Sequence, residues 1–168
     1  DFAVWVGTLI DFDRPLLLVT DEGKEREAIT RLARIGYEHV VGCLDGGMPT
    51  WIAAGRPVDT IDTYVHTVYE PLLQSSSVTL LDVRRDGEVA LEKMKGSIYL
   101  SLSRLPVGVN ALDANGRYLV YCAGGYRSMI AASILRRHGI RNVACIHGGI
   151  SEVKKVAPSL VQSVEAVY

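Results

Sequence analysis

The residues of this sequence best placed to do chemistry are Cys122 and Arg127, separated by Ala123, Gly124, Gly125 and Tyr126. Cys122 directly follows the apolar run Tyr118–Tyr121. Beyond Arg127, Ile130, Ala131, Ile134 and Leu135 fall at helical spacing. Adjacent glycines let a backbone turn tightly and aim several N–H groups at one point. A following helix adds the positive end of its dipole, and Arg127 adds a full charge. Such a setting stabilises a thiolate and binds an anion, as a nucleophilic sulfur requires. The competing reading is a strand-end core cysteine before an ordinary glycine turn. The agreement of strand, glycine loop, arginine and helix favours the chemical one.

These residues need strands and helices to hold them, and the pattern supplies both twice. Leu16–Thr20 reads as a buried parallel strand. The polar loop Asp21–Arg26 follows, then Ala28, Ile29, Leu32 and Ala33 at helical spacing, with Gly36 as the cap. Val40–Leu44 reads as a second strand, ended by Gly46 and Gly47. The same order returns about 102 positions later, Leu16 corresponding to Tyr118. There the strands are Tyr118–Tyr121 and Val143–Ile146, the cap is Gly139, and the closing pair is Gly148 and Gly149. This spacing implies duplicated α/β units, a tandem repeat.

Upstream of the second copy, Thr79–Val83 reads as a strand, Asp86–Lys93 as a helix and Ser97–Leu100 as a short strand. The expected organisation is a partial unit over 1–60, the C-terminal half of one domain, and a nearly complete unit over 64–168, joined at 59–63. Strands alternating with helices predict an α/β fold, a mostly parallel sheet flanked by helices.

Composition narrows the function classes. The chain has 168 residues, 48% of them hydrophobic and 22% charged, which is globular and argues against disorder. A net charge of −1 gives no support for an overall nucleic-acid-binding surface. No apolar run is long enough to span a membrane, and no signal peptide is visible. Cys43, Cys122 and Cys145 are an odd, small set, poor material for a disulfide scaffold, which suggests a reducing, cytoplasmic setting. The histidines His39, His66, His138 and His147 form no metal-ligand pattern, so no structural zinc site is expected. Charge is uneven: residues 1–60 carry ten acidic and six basic side chains, and residues 61–168 carry nine acidic and twelve basic. The positive half holds Cys122, which suits a small anionic substrate.

The loop Cys122, Ala123, Gly124, Gly125, Tyr126, Arg127 resembles the active loop of rhodanese (sulfurtransferase) domains, which reads Cys-x-x-Gly-x-Arg. Leu81-Asp82-Val83-Arg84 with Glu88 is similar to that family's early D-V-R…E signature. Gly96-Ser97-Ile98 is similar to the end of its G-H-I-x-G-A pattern, with Lys93 where a histidine is usual. Gly148-Gly149 matches the second glycine pair. The segment from Tyr121 to Ser128 also resembles C-terminal rhodanese modules fused to metallo-β-lactamase-fold persulfide dioxygenases, which would place such a domain upstream in the parent protein.

The resemblance implies a Cys122 persulfide. A small anionic sulfur donor, thiosulfate or a low-molecular-weight persulfide, would load it, and a thiol or cyanide would unload it. Loop N–H groups would stabilise the persulfide, Arg127 would hold the loop and the donor, and the chemistry would need neither a metal nor an organic cofactor. The alternative is a sulfur-carrier or regulatory module without efficient turnover. A Cys-dependent phosphatase is disfavoured, because those loops place five residues between cysteine and arginine and this one places four.

Other residues carry structural expectations. Thr20 or Asp21 takes the position of Cys122 in the first copy, so that copy is expected to be catalytically silent. Cys43 and Cys145 stand at matching places and read as buried strand residues. Asp82 and Arg84 are expected to form a network beneath the site, and Tyr126 a wall of the pocket. His147 and Asp45 read as solvated strand ends. Arg136, Arg137 and Arg141 read as a solvated helix end near its negative dipole. Trp51 has a packing role that Val153 takes over differently in the second copy.

Overall fold

The computed structural model describes residues 2–75 and 77–164. The chain divides into two units, Asp1–Asp59 and Thr60–Tyr168.

The first unit runs α1 (Phe2–Leu9), β1 (Leu16–Leu18), α2 (Glu25–Ala33), β2 (Val40–Cys43) and α3 (Gly47–Ala53). The two strands pair in parallel, with Leu18 opposite Cys43. Leu16 and Leu18 turn inward onto Ala28, Leu32 and Tyr37, while Leu17 is exposed. The run is therefore covered on one face, not buried on both. An uninterrupted apolar run does not reveal which of its faces is covered. The Tyr37 hydroxyl donates to the Ile10 carbonyl at 2.5 Å.

The second unit begins with β3 (Asp62–Tyr64), α4 (His66–Gln74), β4 (Thr79–Asp82), α5 (Asp86–Val89), β5 (Glu92–Met94), β6 (Ile98–Tyr99) and α6 (Leu105–Gly108). After a 3-10 turn at Val109–Ala111 come β7 (Tyr118–Tyr121), α7 (Tyr126–Arg137), β8 (Val143–Ile146), α8 (Gly149–Val156) and β9 (Val161–Ser163). Five strands form one sheet in the order β3-β8-β7-β4-β6, with every pairing parallel. The central strands β7 and β8 are buried along their whole length, as expected where helices cover both faces. Leu80, Leu119, Tyr121 and Ile146 of the sheet form one core cluster with Tyr69 of α4 and with Ile150 and Val153 of α8. Helix α7 contributes Ala131, Ala132, Ile134 and Leu135.

Two expectations are corrected. The segment 86–93 is helical only over Asp86–Val89, and Glu92–Met94 is a strand paired antiparallel with β9. That strand depends on a partner about 70 residues away, which no local pattern announces. The join expected at 59–63 contains most of β3, whose Thr63 lies opposite Cys145. A three-residue polar edge strand lacks a period-2 apolar signal. No helix among the described residues is long and apolar enough to cross a membrane.

Candidate active site

A parallel sheet brings the C-terminal ends of its strands to one edge, where such folds place their sites. Here that edge carries Asp82 at the end of β4, Cys122 just after β7 and His147 just after β8. Cys122 leaves the most buried strand and is itself only 1% exposed. The chain then turns through Ala123 and Gly124 to Gly125, whose φ of 102° suits glycine and caps α7. The Gly125 N–H donates to Cys122 Sγ at 3.1 Å. Cys122 Sγ also lies 3.7 Å from Ser128 Oγ, and that hydroxyl donates to the Gly125 carbonyl at 2.9 Å. The thiol thus sits inside the loop at the N-terminus of a 12-residue helix.

The other side of the loop is held by α8. Its Ile150 N–H donates to the Cys122 carbonyl at 2.8 Å, and its Ser151 N–H donates to the Ala123 carbonyl at 3.1 Å. So close an approach needs a residue without a side chain. A Cβ on Gly149 would lie 2.3 Å from the Cys122 oxygen and 2.6 Å from the Ala123 oxygen. The second glycine pair is therefore part of the site: it lets one helix end grip the loop that starts the other.

Arg127 is not free to meet a ligand with both arms. Its Nη1 and Nη2 donate to the two carboxylate oxygens of Glu88 at 2.6 and 2.8 Å, a bidentate pair. Glu88 also accepts the Arg85 N–H, capping α5. The Arg127 guanidinium holds the Glu88 carboxyl down to about 2, against partial burial that opposes it. Arg127 ties the loop to Glu88 of α5, and that carboxylate balances its charge.

Asp82 and Arg84 lie beneath the loop, 0% and 2% exposed. Arg84 Nη2 donates to Asp82 Oδ2 at 2.7 Å and to the Glu92 carbonyl at 2.7 Å. The Tyr121 hydroxyl donates to Asp82 Oδ2 at 2.6 Å and itself accepts from the Met94 N–H. Every charge buried here has a partner, as burial demands. Burial and the adjacent carboxylate push the Tyr121 phenol up.

Of the remaining candidates, Tyr126 is half exposed at the rim, and His147 and Asp45 are exposed. Cys145 is buried, and that burial pushes its thiol up to about 11. Cys43 is half-buried. Trp51 donates its indole N–H to the Pro57 carbonyl, whereas Val153 is fully buried. In the first unit, a Cβ on Gly47 would meet the Thr20 oxygen at 2.2 Å, the counterpart of Gly149 against Cys122. Thr20, not Asp21, therefore stands where Cys122 stands, and its Oγ1 is buried with no hydrogen-bond partner among the described residues. The sequence reading missed Ser128 and the role of Glu88. The signal for Ser128 was its place one residue beyond Arg127, within the first turn of the helix.

A cysteine loop between a parallel strand and a helix, closed by a second helix end, defines an α/β domain with a buried thiol at the C-terminal edge of its sheet. The rhodanese-like domain profile matches residues 65–156, just over half of the chain, and the protein belongs to that family. A tRNA uridine(34) hydroxylase of Acaryochloris marina is 33% identical over 108 residues, 60% of this chain and 35% of that protein. The protein of the same description from Staphylococcus aureus (strain Newman) is 30% identical over 106 residues, 59% of this chain and 33% of that protein. The chain thus spans about a third of the length of these curated relatives. A rhodanese-related protein of Thermoplasma volcanium superposes with a TM-score of 0.54 at 27% identity, covering 62% of this chain and 99% of its own.

Proposed function

We propose that the second unit is a sulfurtransferase that carries a sulfane sulfur on Cys122. The observation that supports this best is the Gly125 N–H directed at Cys122 Sγ at 3.1 Å within a loop at a helix N-terminus. An anion on that sulfur, thiolate or persulfide, meets an amide dipole already aimed at it, so little reorganisation is needed as charge moves outward.

In the first step the Cys122 thiolate attacks the outer sulfur of the donor. A new S–S bond forms, the donor's own S–S bond breaks, and its remaining fragment leaves with the electron pair as sulfite or a thiolate. In the second step an acceptor attacks the outer sulfur of Cys122. Cyanide leaves as thiocyanate or a thiolate as a persulfide, and the Cys122 thiolate is restored. The loop places four residues between Cys122 and Arg127, one fewer than in Cys-dependent phosphatases, which disfavours phosphatase chemistry.

On this reading the two units follow one α/β plan, and the first, with Thr20 at the nucleophile's place and Asp21, Glu22 and Glu25 beside it, is silent. An upstream metallo-β-lactamase-fold domain in the parent protein and a cytoplasmic setting belong to the same proposal. A second reading comes from the relatives' description: the domain serves hydroxylation of a tRNA uridine within a longer chain.

Mass spectrometry after incubation with a sulfur donor tests the first reading. The Cys122 peptide should gain the mass of one sulfur and lose it to cyanide. Cys122→Ser should abolish turnover, while Cys145→Ser and Cys43→Ala should retain it. Turnover kept in Cys122→Ser and lost in Cys145→Ser would overturn the assignment. Oxygen gained on tRNA uridine, with no sulfur on Cys122, would favour the second reading.

A further inference from the structure

We infer that the donor for Cys122 is a persulfide carried on an organic thiol, not thiosulfate, because the site presents a nucleophilic sulfur among cations that are already paired. This rests on the sulfur-transfer reading above. The loop itself offers Ala123, Gly124, Gly125 and Tyr126, none of them charged. Both arms of Arg127 are held by Glu88 at 2.6 and 2.8 Å. Arg84 is locked to Asp82, Lys154 stands 2.7 Å from Glu92, Arg104 pairs with Asp86, and Arg85 is engaged as well. Each of these cations beside the loop and α5 is thus already engaged within the protein.

The two donors make different demands. Thiosulfate brings two negative charges to a thiolate. Its reaction forms the Cys122 S–S bond, breaks the bond to the sulfonate sulfur and releases sulfite, a dianion. Three negative charges must therefore share a partly buried site, which is costly without a cation to meet them. A neutral persulfide R–S–S–H adds no charge. The Cys122 sulfur bonds to its outer sulfur, R–S⁻ leaves with the electron pair, and the proton on the new Cys122 persulfide passes to that thiolate. One negative charge is present throughout, and it ends on the outer sulfur of Cys122.

The surroundings fit an organic group too. A cleft of about 350 Å³ runs beside the loop, touching Ala123 and lined by Leu91, Ile150, Ser151, Lys154 and Ser163 among others. Leu91 is 73% exposed there. Its apolar side chains and two serine hydroxyls, beside Arg84, Glu88, Glu92 and Lys154, whose charges are each already paired, suit the carbon and amide portion of a thiol.

The test compares thiosulfate with glutathione persulfide and with the persulfide of N-acetylcysteine methyl ester, which carries no carboxylate. The readout is the rate of one-sulfur gain on Cys122 in the reduced full chain. Each rate is divided by that of the same donor with a small free thiol, which removes intrinsic reactivity. Both persulfides should exceed thiosulfate by about 100-fold, the scale of one missing charge-assisted contact. Gly124→Arg adds a cation at the rim where a Cβ meets nothing within 4 Å and the backbone is not left-handed. It should narrow the gap by about tenfold. Glu88→Gln, which frees Arg127, should act in the same direction.

Thiosulfate equal to or ahead of the persulfides would overturn the inference and leave sulfur transfer standing. No sulfur gained from any donor would overturn sulfur transfer and the inference with it. A persulfide preference that neither variant moves would refute the charge argument.

Discussion

The grip of α8 on the cysteine loop can be measured with three glycine substitutions that differ in one respect each. Gly124→Ala meets no atom within 4 Å and has no left-handed backbone. Gly139→Ala also meets nothing within 4 Å, but its φ is 89°. Gly149→Ala combines a φ of 58° with a Cβ 2.3 Å from the Cys122 oxygen. The first should change stability by less than about 1 kcal/mol, in the stabilising direction if at all. The second should cost about 1–2 kcal/mol for the left-handed conformation alone. The third carries that cost and must also push the helix end off two backbone carbonyls. It then loses the hydrogen bonds from Ile150 and Ser151, for a total of about 3 kcal/mol or more.

Tryptophan fluorescence is blind to this, since Trp5 and Trp51 both lie in the first unit. Cys145 is the better reporter: it is 1% exposed and sits in β8. Alkylation of Cys145 against urea concentration reads the opening of the second unit directly. Sulfur loading of Cys122 should fall only for Gly149→Ala, because only that change displaces the loop. If Gly149→Ala costs no more than Gly139→Ala, the helix end does not hold the loop and the account of the second glycine pair is wrong.

Two further outcomes follow from the buried charges. Asp82→Asn removes the counter-ion of the buried Arg84 guanidinium and replaces one of the two oxygens that accept from Arg84 and Tyr121 with an NH2 donor. It should destabilise the second unit by about 3–5 kcal/mol in urea unfolding, and a loss below about 1 kcal/mol would show that the network is dispensable. Glu88, held at about 2 in the fold against 4.5 for the free group, binds fewer protons folded than unfolded. Its stabilisation is therefore complete above pH 4.5 and is lost as pH falls toward 2. Its side chain is 33% exposed, so solvent screening reduces the effect to about 1–2 kcal/mol. Glu88→Gln should flatten the acid limb of urea midpoints by that amount, and an unchanged limb would refute the assignment.

Much of this protein is written locally in its chain. Tyr118–Tyr121 and Val143–Ile146 are legible as buried strands because four consecutive apolar residues between turn signals have few other solutions. The cysteine loop is legible because its parts adjoin one another: strand end, glycines, arginine and helix start lie within one short stretch. Tertiary structure decided what depends on distant partners. That Arg127 faces Glu88, 39 residues earlier, is set by α5 meeting the start of α7. That Gly149 must be glycine is set by two carbonyls more than 25 residues upstream. The strand Glu92–Met94 exists only because Val161–Ser163 lies against it. Local chemistry chose the nucleophile. Long-range packing chose its neighbours, and with them the charge that an incoming donor meets, because an ion pair across 39 residues leaves no trace in the spacing of either partner.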